Sequence, residues 1–418
     1  HDVSGVLEAL SDANLVHFTS CETVGGPRRR IGQLLRLHAS QQAVPELERA
    51  AALARVLSGW LALAEAAASR LHGNIQICRV GDAERWRPDD TTFREVLSHP
   101  LAWFDTERPT LVNAVGKAAA AGLDAVSAEL AIAITPYLDL RSHHDDWLRT
   151  HCCALAAARR GGATRAEAAL QRGLGQLAVY QDRDHEAVTH FQQAAALFTQ
   201  AKDESGAAMA ACGVATCARL SGRHQEALAL YRRALAVFQR LDEPHNEAYA
   251  RYAIGTASLS LGRLDEAQSW YESALRGAVA IGDSHRAAHV IHQMALLDCR
   301  RGASERAMTR LRDALARFVE IGDSQGEAYT LQWIGNLHAS QGQAAEAAGL
   351  LTRALATYRR LGDRRAEASA TLRLGELHRD TGRLDLARGQ LRRSLALWRD
   401  LDDRTTAAQV QAELDLLG

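Results

Sequence analysis

A period of forty residues runs from about residue 123 to the C-terminus, and it limits what this chain can fold into. Small or acidic pairs recur in step at Lys202-Asp203, Asp242-Glu243, Gly282-Asp283, Gly322-Asp323, Gly362-Asp363 and Asp402-Asp403. Turn residues fall midway, at Asp182, Gly222, Gly262, Gly302, Gly342 and Gly382. Alanine keeps the same register at 168, 208, 248, 288, 328, 368 and 408, and again at 187, 227, 267, 307, 347 and 387. Self-similarity at one fixed period means a stacked array, in which each unit buries its apolar face on its neighbours. Growth along one axis is how 418 residues escape the size limit of a single core.

One unit shows the local physics. Between Gln325 and Leu361, apolar residues fall at Leu331, Ile334 and Leu337, then at Ala347, Leu350, Leu351, Ala354, Leu355 and Tyr358. That is helical spacing in two blocks, broken at Gln341-Gly342-Gln343. Each unit therefore reads as a helix, a tight turn, a longer helix and a short loop. Small residues at Gly335, Ala347 and Ala354, with Leu351 between, let the two helices approach closely. Phe191, Tyr231, Tyr271, Leu311 and Leu391 hold the Leu351 site in other units. This pattern resembles the tetratricopeptide-repeat family, in a variant with an extended second helix. The resemblance implies an all-α, right-handed superhelix of about seven repeats over 123–418. The first repeat is degenerate, since Trp147 takes an alanine site while Ala154 stays in register. Beyond Pro136 the one proline is Pro244, in an inter-repeat loop.

Composition excludes several classes. A formal net charge of −1 gives no global basic field for nucleic acid. The seven cysteines show neither metal nor disulfide spacing, which points to reduced thiols and a cytoplasmic setting. Cys152-Cys153 read as packing residues. There is no signal peptide and no apolar run of about 18 residues, so no membrane span is expected. A chain that starts at His1, with its first methionine at Met209, reads as part of something longer.

The front third reads differently. Residues 1–44 carry a helix with Leu7 and Leu10, a strand at Leu15–Phe18, a turn at Gly25-Gly26-Pro27, a returning strand at Arg28–Ile31 and a helix with Leu34, Leu35 and Leu37. That order resembles the C-terminal part of a winged-helix domain. Residues 45–122 read as a helical connector: an Ala/Leu-rich helix at 46–72, a loop-like stretch at 73–100 and helices at about 101–122.

The segments "LSDANLV…RRRIGQLLRLHA", "LAWFDTERPTLVNAVGKAAAAGL" and "PYLDLRSHHDDWLRTHCCALAAAR" resemble one setting. It is the large, AfsR-type members of the SARP family, the Streptomyces antibiotic regulatory proteins of actinomycetes. In those a DNA-binding segment precedes a STAND-type ATPase core, a winged helix and a tetratricopeptide sensor. Only two lysines, Lys117 and Lys202, among 49 basic residues fit the GC-rich genome this implies. The family's winged helix carries a His-Asp pair that can read nucleotide phosphates; Gly32-Gln33 stand there instead. Either the nucleotide link is weakened or another residue substitutes. No G-x-x-x-x-G-K-[ST] loop is present, so the chain is expected to be no enzyme and to bind no cofactor. ATP or ADP would belong to the parent's nucleotide-binding domain.

No catalytic constellation stands out. His143 and His144 before Asp145 and Asp146 read as a solvated helix start. His289 and His292 share a helix face with Cys299 two turns on, too few ligands for zinc. The arginine pairs alternate with acids and read as a solvated face.

The stronger signal is a groove. The first helix of each repeat should line the concave wall. Its inward sites carry Tyr249, Tyr252 and Thr256, then His289 and His292, then Tyr329, Gln332 and Asn336, flanked by Arg172, Gln176, Met209, Arg219 and Arg379. The adjacent column Val214, Ile254, Met294, Ile334 and Leu374 is apolar and reads as core. Aromatic bodies with polar tips suit recognition. Two functions follow. One is a sensor that binds a small molecule or protein partner and biases the parent's ATPase and DNA-binding switch, against its own nucleotide-binding core. The other is a scaffold that docks an extended peptide or subunit without a switch. A sensor should have one closed pocket, around Tyr252, His292 and Tyr329.

Overall fold

The computed structural model describes residues 11, 13, 16–20, 28–31, 37, 38, 41, 45–71, 81–87 and 90–417. Near the N-terminus, β1 (Val16–Ser20) and β2 (Arg28–Ile31) pair antiparallel, with Val16 opposite Ile31 and an irregularity between Phe18 and Ser20. Of the flanking helices expected there, Ser11 on one side and Leu37 and His38 on the other are helical; the rest, the Gly25-Gly26-Pro27 turn and Gly32-Gln33 lie outside the described residues. Among the described residues every other regular element is a helix.

Contacts divide the chain into two units, one holding described residues to 71, 81–137 and 150–166, the other 138–149 and 167–417. In the first, α1 (Glu46–Ala68) packs on α2 (Asp90–Ser98) and α3 (Pro100–Ala120). The loop-like reading of 73–100 fails over its last part, because α2 forms there. Trp60, Trp103, Phe104 and Tyr137 make a chain of ring contacts, with centroids 6.1, 5.0 and 4.8 Å apart. Arg85 bridges Glu65 and the buried Glu129, whose Oε1 also accepts from Ala83 N at 2.9 Å. Among the described helices, α1 alone has the length and apolarity that crossing a membrane would need. Its Leu57, Leu61, Ala64 and Ala68 are buried in this unit's core.

From Asp124 onward the chain is a run of hairpins, α4 (Asp124–Leu140), α5 (His144–Arg160), α6 (Thr164–Tyr180), α7 (Asp184–Gln200), α8 (Glu204–Leu220), α9 (His224–Arg240), α10 (Pro244–Ser260), α11 (Leu264–Ala280), α12 (Ser284–Arg300), α13 (Ser304–Ile321), α14 (Ser324–Ser340), α15 (Ala344–Leu361), α16 (Arg364–Asp380), α17 (Leu384–Asp400) and α18 (Arg404–Asp415). A positive-φ residue falls every twenty positions from Gly122 to Asp402. Five of these are not glycine: Ser142, Asp182, Lys202, Asp242 and Asp402, with φ of 53–56°. Each sits just past a helix end, where a left-handed residue lets the last carbonyls be satisfied. The spacing makes the two helices of a repeat nearly equal, as α14 with 17 residues and α15 with 18 show. The expected longer second helix is not seen. Pro244 opens α10, where its missing N–H costs nothing.

In the column Val214, Ile254, Met294, Ile334 and Leu374 the last four are buried core, while Val214 is half-buried against the cluster around Phe191. The second helices drive large side chains against small sites on the first: Phe191 faces Gly175 and Gly213, Tyr271 faces Gly255, and Leu351 faces Gly335.

Candidate functional site

The aspartates of the inter-repeat pairs set the geometry. Asp323 caps α14, its Oδ1 accepting from Gln325 N at 3.0 Å and Gly326 N at 2.9 Å. Its Oδ2 accepts from His285 Nε2 of the preceding repeat at 3.0 Å, and His289 Nε2 lies 3.4 Å away. One repeat on, Asp363 caps α16 through Ala366 N and accepts from Tyr329 Oη at 2.5 Å and Gln325 Nε2 at 3.4 Å. Positions 285 and 289 thus do the work of 325 and 329. The ligand atoms of His285, His289 and Asp323 lie within 4.8 Å of one another, a spacing a divalent cation could bridge. The equivalent node at Asp363 works with Gln325 and Tyr329, so the arrangement is a repeat-to-repeat ladder. His292 is not part of it; its Nδ1 meets Thr330 Oγ1 at 3.1 Å.

Burial decides the protonation states. It pushes His289 down to about 4, helped by the neighbouring His285 charge, and His292 down to about 3. Burial alone would raise the Asp323 carboxyl; the two imidazoles outweigh it and hold it well below the usual range. Asp139 at the end of α4 is pushed up to about 6 by burial, against a hydrogen bond from Tyr180. His144, expected on a solvated helix start, is buried instead: its ring stacks on Tyr180 and bonds the backbone of Leu361.

The inward faces of α6, α8, α10, α12, α14 and α16 line a cavity of about 610 Å³. Arg172, Arg219, Tyr249, Tyr252, His289, His292, Tyr329 and Gln332 line it, as do Gln176, Met209 and Thr256. Two residues expected on the groove lie elsewhere. Asn336 has a buried Oδ1 with no hydrogen-bond partner, and Arg379 is turned to Asp380 and Glu413. The sequence reading missed Tyr180, Asp182, Arg286, Trp333, Asp363, Arg365 and Trp398 in the lining. For Arg286 a signal existed: other repeats carry Gly206, Asn246, Gly326 and Ala366 at that site. Arg286 is 4% exposed and stacks over Tyr249 and Tyr252, its guanidinium 4.9 and 5.5 Å from the ring centres.

One side of the cavity is closed by a contact between distant repeats. Asp182, in the turn after α6, accepts from Arg365 N at 3.1 Å and Arg365 Nε at 3.0 Å. The expected solvated arginine face holds for Arg232 with Glu266 and Arg364 with Asp400, but not for Arg365.

A tetratricopeptide-repeat model matches residues 206–278 and 324–400. The array is built of tetratricopeptide repeats. Its fold recurs in the Rap conjugation gene regulator of plasmid pLS20, solved with the Phr* peptide: TM-score 0.52 and 16% identity over 73% of this chain and 88% of that one. It recurs also in PH0952 from Pyrococcus horikoshii, a STAND protein with a tetratricopeptide repeat sensor: TM-score 0.50 and 14% identity over 69% of this chain and 43% of that one. At such identities the likeness is one of fold. No curated protein matches the chain in sequence.

Proposed function

We propose that this tetratricopeptide array is the ligand-sensing region of a transcriptional regulator of the SARP type, acting on genes of antibiotic biosynthesis. The observation that carries the sensing part is a cavity of about 610 Å³ that gathers Tyr252, His292 and Tyr329 from three successive repeats. An extended scaffold groove would spread such side chains along its length. A concave, mostly preformed site with a few convergent polar groups suits a ligand of drug-like size. The regulator context rests on the family resemblance, including the winged-helix reading of 1–44 and the connector at 45–122. The β1–β2 hairpin supports it, and so does the fold shared with a STAND sensor.

On this reading the chain works in the cytoplasm, contributes no catalysis and needs no cofactor. Its partners are a ligand in the cavity and the parent's nucleotide-binding core. The repeats do not touch nucleic acid. Ligand binding shifts the parent between closed and open forms only by differing in affinity for the two. Native mass spectrometry of the chain purified from its own organism tests this. A retained mass of a few hundred daltons, lost in Tyr252→Ala, is expected. A retained peptide or protein subunit would replace the sensor with a scaffold.

A further inference from the structure

We infer that the cavity takes a small organic acid: an anionic group held by Arg172 and Arg219, on a ring-bearing body laid against Tyr252, His292 and Trp333. The inference rests on the ligand-sensing reading and adds the ligand's chemistry.

Charge complementarity carries it. Two carboxylates and four guanidiniums line the cavity. Asp182 is engaged by Arg365, which donates to it twice. Asp363 accepts from Tyr329, Gln325 and the backbone of Ala366. Arg286 is stacked on two tyrosines. Every acid on the wall is therefore spoken for, and two bases are not. Arg172 meets no carboxylate among the described residues. Arg219 bonds the Tyr231 hydroxyl, which also meets Thr216 Oγ1 at 2.9 Å. Both arginines are half-buried. A guanidinium drawn partly out of water without a counter-ion is costly, and its fork fits carboxylate, sulfonate and phosphate oxygens. His289 and His292 stay neutral, so they neither compete for the anion nor add to the field. Tyr252, Trp333 and Trp398 line the same cavity and supply aromatic surface for an apolar body. The Arg365–Asp182 bonds close one side, which favours a compact ligand over a continuous chain.

The test uses two fluorescent probes of one shape, the anionic anilinonaphthalene sulfonate and the neutral phenylnaphthylamine. The sulfonate is expected to occupy one site per chain, about tenfold tighter than the neutral probe. The Arg172→Gln, Arg219→Gln variant, with unchanged helicity, should lose that advantage and bind the neutral probe as before. Either arginine replaced by Lys should keep part of it. Equal binding of both probes, lost together in Tyr252→Ala, overturns the acid inference while the cavity reading stands. Binding at many weak sites, indifferent to all these variants, overturns both.

Discussion

Gly255 lies on α10 where an added Cβ would stand 2.7 Å from both Cδ1 and Cε1 of Tyr271. Two effects compete there. Alanine in a helix interior is worth up to about 1 kcal/mol over glycine. Overpacking a closed core costs about 1–3 kcal/mol. Tyr271 is fully buried and its hydroxyl meets Thr256 Oγ1 at 3.3 Å, so the ring cannot step aside. Overpacking wins, and Gly255→Ala should lose about 1–2 kcal/mol in urea unfolding. Gly349 is the control: it is exposed on α15 with nothing within 4 Å of an added Cβ. Gly349→Ala should gain about 0.5–1 kcal/mol. A gain at both positions would mean that the ring seat is loose. These seats were legible in sequence, because a small site and a large partner recur in register. Arg286 was legible only as an exception to that rule. The pattern of small residues shows where helices approach, and a single large cation among them shows where they leave room.

Asp323 and Asp363 are the element-scale device, since each ties the helix it caps to the first helix of the preceding repeat. Asp323→Ala removes a cap worth about 0.5–2 kcal/mol and strands the buried His285, for about 1–3 kcal/mol more. Asp283 caps α12 through Arg286 N, but its cross-repeat neighbour His245 is 3.9 Å away and exposed. Asp283→Ala should therefore cost the cap alone, and equal losses in the two variants would remove the ladder from the account. The cap was legible in the Gly-Asp pairs; its cross-repeat partners were not, since an i, i+38 bond depends on how repeats stack. His292 gives the same elements a pH dependence. Its folded pKa is lowered to about 3, so between that value and the unfolded 6.5 the unfolded state holds the extra proton. Stability from this group is thus complete near neutral pH and falls as pH drops below 6.5. At pH 5 the loss is about 2 kcal/mol. His289 adds to the slope, whereas Asp139, pushed up to about 6, opposes it. Comparison with His292→Gln, the residue the next repeat carries at 332, isolates the term. The variant should gain on the parent chain as pH falls from 7 to 5. A constant difference would mean that the fold does not lower the His292 pKa.

Over the whole array, the contact that matters joins repeats 183 residues apart. A period in sequence tells each repeat who its neighbours are. It does not tell which repeats meet after a turn, because the small rotation per repeat comes from packing and accumulates. For that reason eleven groove residues could be picked by column, while Asp182 and Arg365, read as a turn and a solvated face, could not. Their bond closes one side of the cavity, and both members line it. Asp182 is nearly buried, with 10% of its side chain exposed against 32% for Arg365. Burial raises the Asp182 carboxyl, and Arg365 opposes that rise. Arg365→Ala leaves the carboxylate buried without a counter-ion, at about 2 kcal/mol, less than for a fully enclosed pair. The sign with pH follows from the raised pKa. A carboxyl that binds its proton more tightly in the fold stabilises at low pH and loses that contribution as pH rises. The deficit of Arg365→Ala should therefore be larger at pH 7 than at pH 5. Adding Asp182→Ala removes the orphaned charge, so the double variant should be more stable at pH 7 than Arg365→Ala alone. Hydrogen exchange locates the effect: the Arg365 amide donates to Asp182, so residues 364–370 should lose protection while α10 keeps its own. An array whose first turn of α16 stays protected without Arg365 would be held closed by packing, and the cavity would then owe nothing to this bond.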